Sequence, residues 1–230
     1  MLSKILNTIF PNTCANCEYV IPDDYDLCST CKDNIDFLSG NYCIACGCSL
    51  PDEVSICGKC ITNPPRFTKL ESVFAYNKYS KNMILNLKFS DNTLHVKTYG
   101  KWMYNKNPDL FNNVTTIIPV PIHKKRLRQR KYNQATLLAK ALSKHCNIPL
   151  EIFALKRIVD TIPQYSLSSK MREKNITKSF IVQNQHLINN KIILLVDDVI
   201  TTGITARVCT HKLLESGAKE VRAITLARTL

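Results

Sequence analysis

Four CxxC pairs lie within the first 60 residues, and their spacing constrains the fold of this segment more than any other sequence feature. Ten residues separate the two pairs in each half of the segment. Because a CxxC turn directs two thiolates at one tetrahedral ion and a second turn completes the shell, this duplication predicts two structural zinc sites. So short a segment has too few apolar residues to fold unaided, and bound metal supplies much of its folding free energy. The predicted ligands are Cys14, Cys17, Cys28, Cys31, Cys43, Cys46, Cys57 and Cys60.

Other uses of these cysteines fit the pattern less well. A disulfide framework needs an oxidising compartment, and four tandem pairs are atypical of a redox CxxC site. We expect sequential pairing, with residues 14–31 around one ion and 43–60 around the other, although a cross-brace would use the same eight cysteines. Cys48 is either a bystander or a replacement ligand.

The charge distribution divides the chain near Arg66. Residues 1–66 contain four basic and eight acidic side chains, a net charge of −4, whereas residues 67–230 contain 27 basic and 10 acidic side chains, a net charge of +17. The two prolines of Thr62-Asn63-Pro64-Pro65-Arg66 favour the extended backbone of a linker. We therefore predict a double zinc ribbon over residues 1–66 and a basic domain that attracts phosphate groups over residues 67–230.

The chain has no apolar run long enough to cross a membrane. The apolar residues of segment 1–10 have helical spacing and no cleavage site follows, so we expect a short docking helix rather than a secretory signal. These features predict a cytoplasmic protein without membrane insertion.

Strands and helices alternate along the second segment. Apolar patterns predict strands over 70–76, 115–120, 191–196 and 220–226, and helices over 81–89, over 133–144, and after Thr205 as far as Gly217. The strand 191–196 contains an unbroken apolar run over 192–196, which is typical of a strand buried on both faces of a parallel sheet. This order predicts an α/β fold, an open and mostly parallel sheet flanked by helices, with ligands at the carboxyl ends of the strands.

Two carboxylates and a threonine-rich turn follow this strand. Ionised side chains at the end of a buried strand are costly unless they serve a ligand. The turn leads into a helix N-terminus, where backbone N–H groups, threonine hydroxyls and a glycine form a cradle for phosphate. Carboxylates accept hydrogen bonds from ribose hydroxyls and hold Mg²⁺ through water. The predicted sugar-phosphate site is Asp197, Asp198, Thr201, Thr202, Gly203, Ile204 and Thr205.

An aspartate N-cap followed by an ordinary turn would explain part of the segment 197–205. It does not explain the complete sequence of carboxylates, threonines and glycine directly after an apolar strand. The chain has no Walker-type lysine and no dinucleotide-binding glycine pattern, which excludes ATPases and dehydrogenases of those classes. The string is similar to the signature of type I phosphoribosyltransferases that binds 5-phosphoribosyl pyrophosphate (PRPP).

A run of basic residues that contains no acidic residue precedes the predicted helix over 133–144. It fits the pyrophosphate of PRPP, the backbone of a nucleic acid, or a solvated surface loop. Pyrophosphate needs about two of these side chains, and the surplus favours single-stranded DNA as a partner. Tyr132 and Tyr165 either stack on bases or are structural. The predicted anion-binding residues are Lys124, Lys125, Arg126, Arg128, Arg130 and Lys131.

Several further segments resemble the ComF family (competence protein F, amidophosphoribosyltransferase-like). These are Lys88-Phe89-Ser90-Asp91, Ile118-Pro119-Val120-Pro121, Tyr132-Asn133-Gln134, Leu155-Lys156-Arg157, Gln164 and Arg172-Glu173-Lys174-Asn175. The family's usual Arg-Gly-Phe-Asn-Gln reads Arg-Lys-Tyr-Asn-Gln at 130–134, so lysine replaces the glycine of that turn.

The resemblance implies a role in DNA uptake during natural transformation. It implies that Asp197 and Asp198 contact the ribose hydroxyls and Mg²⁺, and that the turn from Thr201 to Thr205 holds the 5-phosphate. The loop 119–130 would lie near the pyrophosphate, and residues 164–175 would form a mobile flap.

Three hypotheses follow. The chain is an enzyme that transfers phosphoribose from PRPP to an unknown acceptor with Asp197 and Asp198 as catalytic residues, or a DNA-handling protein that keeps the PRPP fold, or a scaffold that recruits a protein partner through its zinc module.

Overall fold

A computed structural model describes residues 11–89, 93–160 and 178–230. The docking helix predicted over residues 1–10, Ser90 and Asp91 of the ComF-like motif, Tyr165, and the flap predicted over 164–175 lie outside the described residues.

The cysteine-rich segment consists of two copies of one small unit. A CxxC turn opens each unit, and the second CxxC pair begins a short helix, α1 (Ser29–Asn34) or α2 (Gly58–Thr62). The Asn12 side-chain amide donates to the carbonyls of Pro22 and Tyr25 at 2.9 and 2.8 Å. The Asn41 amide donates to the carbonyls of Pro51 and Val54 in the same way, at 2.6 and 2.8 Å. The repeat in the sequence is therefore a repeat in the structure.

The rest of the described chain is built on a parallel sheet in the order β1-β6-β5-β2 and a separate antiparallel pair, β3-β4. The strands are β1 (Leu70–Ala75), β2 (Thr116–Pro119), β3 (Leu155–Arg157), β4 (Phe180–Val182), β5 (Ile192–Ile200) and β6 (Glu220–Arg228). The helices are α3 (Lys81–Phe89), α4 (Val96–Lys106), α5 (Lys124–Arg130), α6 (Gln134–Cys146) and α7 (Ile204–Glu215), with 3₁₀ turns at Pro108–Phe111 and Gln185–Leu187.

Apolar side chains cover both faces of the sheet. Leu194 and Val196 of β5 belong to one buried cluster, together with residues of α4 and α6. Leu195, the residue between them, belongs to the cluster on the other face, with residues of α7 and of the β3-β4 pair. Because successive strand residues point to opposite faces, β5 is buried on both sides, as its unbroken apolar sequence predicts.

The sequence patterns locate several of these elements. Helix α3 has the predicted bounds, and α6 begins after Asn133, whose side-chain oxygen accepts a hydrogen bond from the Ala135 amide. Strand β5 is longer than predicted and contains Asp197 and Asp198, because β6 continues to pair with it as far as Ile200. The acids therefore lie within the strand rather than after it.

The prediction of a basic loop over 119–130 is wrong for residues 124–130, which form helix α5. The ring nitrogen Nδ1 of His123 accepts a hydrogen bond from the Lys125 amide at 3.3 Å and caps this helix. Leu127 is its sole apolar residue, so the sequence has no amphipathic period that would reveal a helix.

The zinc ribbons pack directly on the sheet. Residues 36–38 lie antiparallel to β1, with Leu38 N–H donating to Val73 O at 3.0 Å and Ala75 N–H donating to Asp36 O at 2.9 Å. The Phe37 ring packs edge-on against Trp102 of α4 at 5.4 Å between centroids. The first ribbon thus extends the sheet at its β1 edge. A domain boundary at residue 66 stays a prediction.

The two ribbon units differ where the second one meets β1. Glu18 and Gly47 occupy equivalent turns, and both have a left-handed backbone, with φ of 62° and 68°. A Cβ atom at Gly47 would lie 2.5 Å from the Leu70 carbonyl oxygen, which is closer than real contacts allow. The close approach to β1 therefore requires glycine in the second unit, whereas the first unit has room for glutamate.

Within residues 11–89, 93–160 and 178–230, no helix is long and apolar enough to span a bilayer.

Candidate functional site

The acidic pair lies where β5 loses one of its neighbours. The pairing of β2 with β5 ends at Pro119 and Val196, whereas β6 continues alongside β5 to Ile200. Asp197 and Asp198 therefore lie at the carboxyl end of the sheet, the position at which open α/β sheets bind ligands.

The two carboxylates have different partners. Asp198 is only 8% exposed, and its Oδ2 lies 3.0 Å from Nζ of Lys88, near the end of α3. Asp197 is half-buried, and its Oδ1 accepts a hydrogen bond from the Asp198 amide at 2.9 Å. Burial and the negative charge of Asp198 raise the pKa of Asp197 well above its ordinary value, against the opposing effects of that amide and Lys88. A divalent cation would relieve this repulsion, so the pair fits Mg²⁺ held through oxygen ligands.

The turn after β5 has the geometry of a phosphate cradle. Thr201 and Thr202 are exposed, and Gly203 has φ +75°, the left-handed conformation that glycine adopts at little cost. Helix α7 begins at the next residue, so its first amide groups have no partner within the helix. No described residue accepts a hydrogen bond from the amides of Thr201, Thr202 or Gly203. The structure thus brings together the amides and hydroxyls of the sequence-predicted 201–205 site at a helix N-terminus.

Helix α5 places its cations in two groups. Lys124 and Arg128 are exposed, and no acid in the described parts of the chain pairs with them. Arg126 lies 3.7 Å from Asp160, which also approaches Lys125 at 3.9 Å. The cations that face outward are therefore available to a polyanion.

The end of α5 turns toward the acidic pair. Arg130 donates a hydrogen bond to Gln134 Oε1 at 3.3 Å, and its guanidinium lies 5.0 Å from the centroid of the Phe89 ring. Burial lowers the pKa of Arg130, with a smaller opposing attraction from Asp198. Lys131 follows with φ +64°, so it adopts the left-handed conformation that glycine adopts at little cost.

Each cysteine set has the geometry of a tetrahedral zinc site. The four Sγ atoms of residues 14, 17, 28 and 31 lie within 4.8 Å of one another, and so do those of residues 43, 46, 57 and 60. The Sγ atoms of Cys17 and Cys28, and likewise of Cys46 and Cys57, are 3.7 Å apart. Tetrahedral zinc with bonds of about 2.3 Å requires sulfur separations of about 3.8 Å. The cysteines therefore fit zinc with the sequential pairing.

Backbone amides favour ionisation of the first thiol in each cysteine set. Although burial opposes ionisation, the amides of Cys17, Cys28 and Asn16 lower the pKa of Cys14 from 9.0 to about 7. Analogous amides lower the pKa of Cys43 to about 6. Since zinc binds thiolates, both shifts favour the metal.

Cys48 lies beside the second tetrad without joining it. Burial and the neighbouring Cys46 and Cys57 raise the pKa of Cys48 to about 12. Because the four sulfur atoms of the tetrad already complete a tetrahedral site without it, the geometry favours the interpretation of Cys48 as a bystander over that of a replacement ligand.

The contacts of Lys88 and Asp160 near the site cannot be predicted from the neighbouring sequence. The Lys88–Asp198 pair joins residues far apart in the chain, so only the fold reveals it, although Lys88 belongs to the ComF-like motif. Asp160 contacts Arg126 of α5 but lies outside the basic run, and no sequence motif includes it.

Comparison with known proteins agrees with this geometry. The chain matches the double zinc ribbon domain over residues 5–61 and the phosphoribosyl transferase domain over residues 132–230. It is 32% identical over 170 residues to competence protein F of Haemophilus influenzae, with 71% of this chain and 74% of that protein covered. The chain belongs to the competence protein F family.

A second relative and one solved structure show weaker similarity. The DNA utilization protein YhgH of Escherichia coli K12 is 28% identical over 179 residues, covering 74% of this chain and 76% of that protein. Glutamine PRPP amidotransferase from B. subtilis is 18% identical with a TM-score of 0.43, covering 61% of this chain and 30% of that chain. The predicted fold, a parallel phosphoribosyltransferase-like sheet with an N-terminal zinc-ribbon module, is confirmed.

Proposed function

We propose that this competence protein F family member binds PRPP with Mg²⁺ at the end of β5 and handles single-stranded DNA during DNA uptake. The observation that carries the proposal is the turn 201–203, whose amides have no acceptor among the described residues and which enters α7 directly after two adjacent carboxylates. This arrangement offers donors to a phosphate and acceptors to a ribose within one short segment.

Each part of PRPP has a matching group. The amides and hydroxyls of residues 201–205 receive the 5-phosphate, and Asp197 and Asp198 accept hydrogen bonds from the ribose hydroxyls. Arg126 and Arg130 lie on helix α5, which follows β2, and supply positive charge to the pyrophosphate. Bound Mg²⁺ would neutralise negative charge on the pyrophosphate, which helps it to leave if transfer occurs.

The DNA-handling part rests on charge and on the relatives. Residues 67–230 carry a net charge of +17, and Lys124 and Arg128 remain exposed after the pyrophosphate is accounted for. The relatives are named for competence and DNA utilization. We place the protein in the cytoplasm, because two sites built from free CxxC thiols suit a reducing compartment.

Measurement of pyrophosphate release separates an enzyme from a binding protein. Pure zinc-loaded protein is incubated with PRPP and Mg²⁺, with and without candidate acceptors. Acceptor-dependent release that disappears in an Asp197→Asn/Asp198→Asn variant establishes phosphoribosyl transfer. Binding of PRPP without release assigns the site to recognition, and absence of binding refutes the proposed site.

DNA binding is tested with labelled oligo-dT over a range of salt concentrations. We expect affinity to fall steeply with salt, and the slope to become smaller in a Lys124→Gln/Lys125→Gln/Arg128→Gln variant because fewer counterions are released. The matched control replaces the exposed Lys97, Lys140 and Lys144 by glutamine, with the same change in charge. A flat salt response in the native protein, or equal slopes in the two variants, contradicts DNA binding by α5.

A further inference from the structure

The last residue of α3 is an exposed aromatic side chain that directly follows the lysine in contact with Asp198. Phe89 is 67% exposed, and the residue before it, Lys88, has its ammonium group 3.0 Å from Asp198. The guanidinium of Arg130 lies 5.0 Å from the Phe89 ring centroid, at the end of the basic helix α5. The ring therefore connects the proposed PRPP site to the cationic surface.

A hydrogen bond to a buried side chain holds Arg130 in place. It donates to Oε1 of Gln134, a residue that is only 2% exposed. The other polar atom of that side-chain amide, Nε2, is buried and has no hydrogen-bond partner among the described residues. Gln134 therefore fixes the position of the Arg130 guanidinium from the buried side.

Exposure alone does not distinguish Phe89 from other surface residues. Phe153 is 69% exposed, but in the described parts of the chain no cation stacks on its ring. Phe89 combines an open ring with an anchored guanidinium and with nearby cations on α5. Aromatic rings and arginine planes beside a positively charged track are the elements with which proteins bind the bases and the backbone of single strands.

We propose that Phe89 and Arg130 form a stacking site for one base of single-stranded DNA, next to the PRPP site. The cations of α5 then bind the phosphates on either side of this base. The inference rests on the proposed DNA-binding function and specifies where a base contacts the protein.

The first test compares binding of oligo-dT by native protein and by Phe89→Ala and Phe153→Ala variants. Loss of a stacked base weakens binding by about tenfold, so we expect this loss for Phe89→Ala and an unchanged affinity for Phe153→Ala. An abasic oligonucleotide of the same length keeps its phosphates but offers no ring, and Phe89→Ala should bind it as well as native protein does.

A fluorescence experiment tests stacking directly. Trp102 is the single tryptophan, so a Trp102→Phe background with Phe89→Trp places one reporter at the proposed site, and Phe153→Trp in the same background is the control. Oligo-dT should quench the reporter at position 89 and leave the one at 153 unchanged, and the abasic strand should quench neither.

The outcomes distinguish a failure of the stacking site from a failure of the proposed DNA binding. If native protein binds oligo-dT and Phe89→Ala binds it equally well, or position 89 is not quenched, the stacking site is wrong and DNA binding stands. If native protein does not bind oligo-dT at all, the proposed DNA-binding function fails together with the stacking site.

Discussion

Replacing Lys88 with methionine should destabilise the protein because it leaves Asp198 buried without its cation. The two charged atoms are 3.0 Å apart, and the side chains are 23% and 12% exposed. At an effective dielectric constant of about 20, this separation corresponds to an attraction of about 5.5 kcal/mol. Desolvation of both groups offsets part of it, and breaking a fully buried pair costs about 3–5 kcal/mol. For this partly exposed pair we expect a loss of about 2–3 kcal/mol.

Urea unfolding of the zinc-loaded protein measures this loss through the shift in midpoint at constant slope. Lys101→Met is the matched control, since Lys101 lies 3.8 Å from Asp26 and both side chains of that pair are exposed, at 57% and 36%. An exposed pair contributes about 0–1 kcal/mol, so the control should lose far less.

A double-mutant cycle isolates the interaction. Adding Asp198→Asn to Lys88→Met should recover most of the lost stability, because the methionine then faces a neutral amide, and the coupling energy should be about 2 kcal/mol. Equal losses for Lys88→Met and Lys101→Met, or a coupling below about 0.5 kcal/mol, would refute the argument that this contact is energetically significant.

Three further predictions concern single side chains. Lys131→Gly relieves a left-handed backbone and should raise stability by about 0.5–1 kcal/mol. By contrast, Arg128→Gly inside α5 should lower it by about 1 kcal/mol. A lower urea midpoint for Lys131→Gly contradicts this. Because the folded state raises the pKa of Asp197, ionisation of this carboxyl weakens the fold as pH rises above its unfolded-state pKa. Asp197→Asn should therefore raise the melting temperature more at pH 8 than at pH 4, and an equal rise at both pH values is the opposing result. Zinc analysis of purified protein should give two ions per chain for Cys48→Ser and about one for Cys46→Ser, and loss of an ion from Cys48→Ser would make that residue a ligand.

Local sequence signals predict the elements that depend on local chemistry. The cysteine spacing predicts the two tetrads, and the apolar run of 192–196 predicts the buried strand. The threonine-rich segment 201–205 predicts the turn before α7. Each of these depends on a ligand geometry, a periodicity or a turn conformation that a few neighbouring residues determine.

Features that depend on contacts between distant segments cannot be predicted from local sequence patterns. The extension of β5 past Val196 requires β6 beside it, and helix α5 has no apolar stripe to mark it. The packing of residues 36–38 on β1 joins the ribbon to the sheet by backbone hydrogen bonds, which leave no pattern in the side chains. The Lys88–Asp198 pair likewise exists only because the fold brings α3 to the end of β5.

Calorimetric titration of zinc-loaded protein with PRPP and Mg²⁺ tests the central assignment most directly. We predict saturable binding of one PRPP per chain, abolished in an Asp197→Asn/Asp198→Asn variant and retained when Asp109, an acid in the 3₁₀ turn before β2, is replaced by asparagine. No heat of binding in the native protein, or unchanged affinity in the double variant, would contradict the assignment of these residues to PRPP.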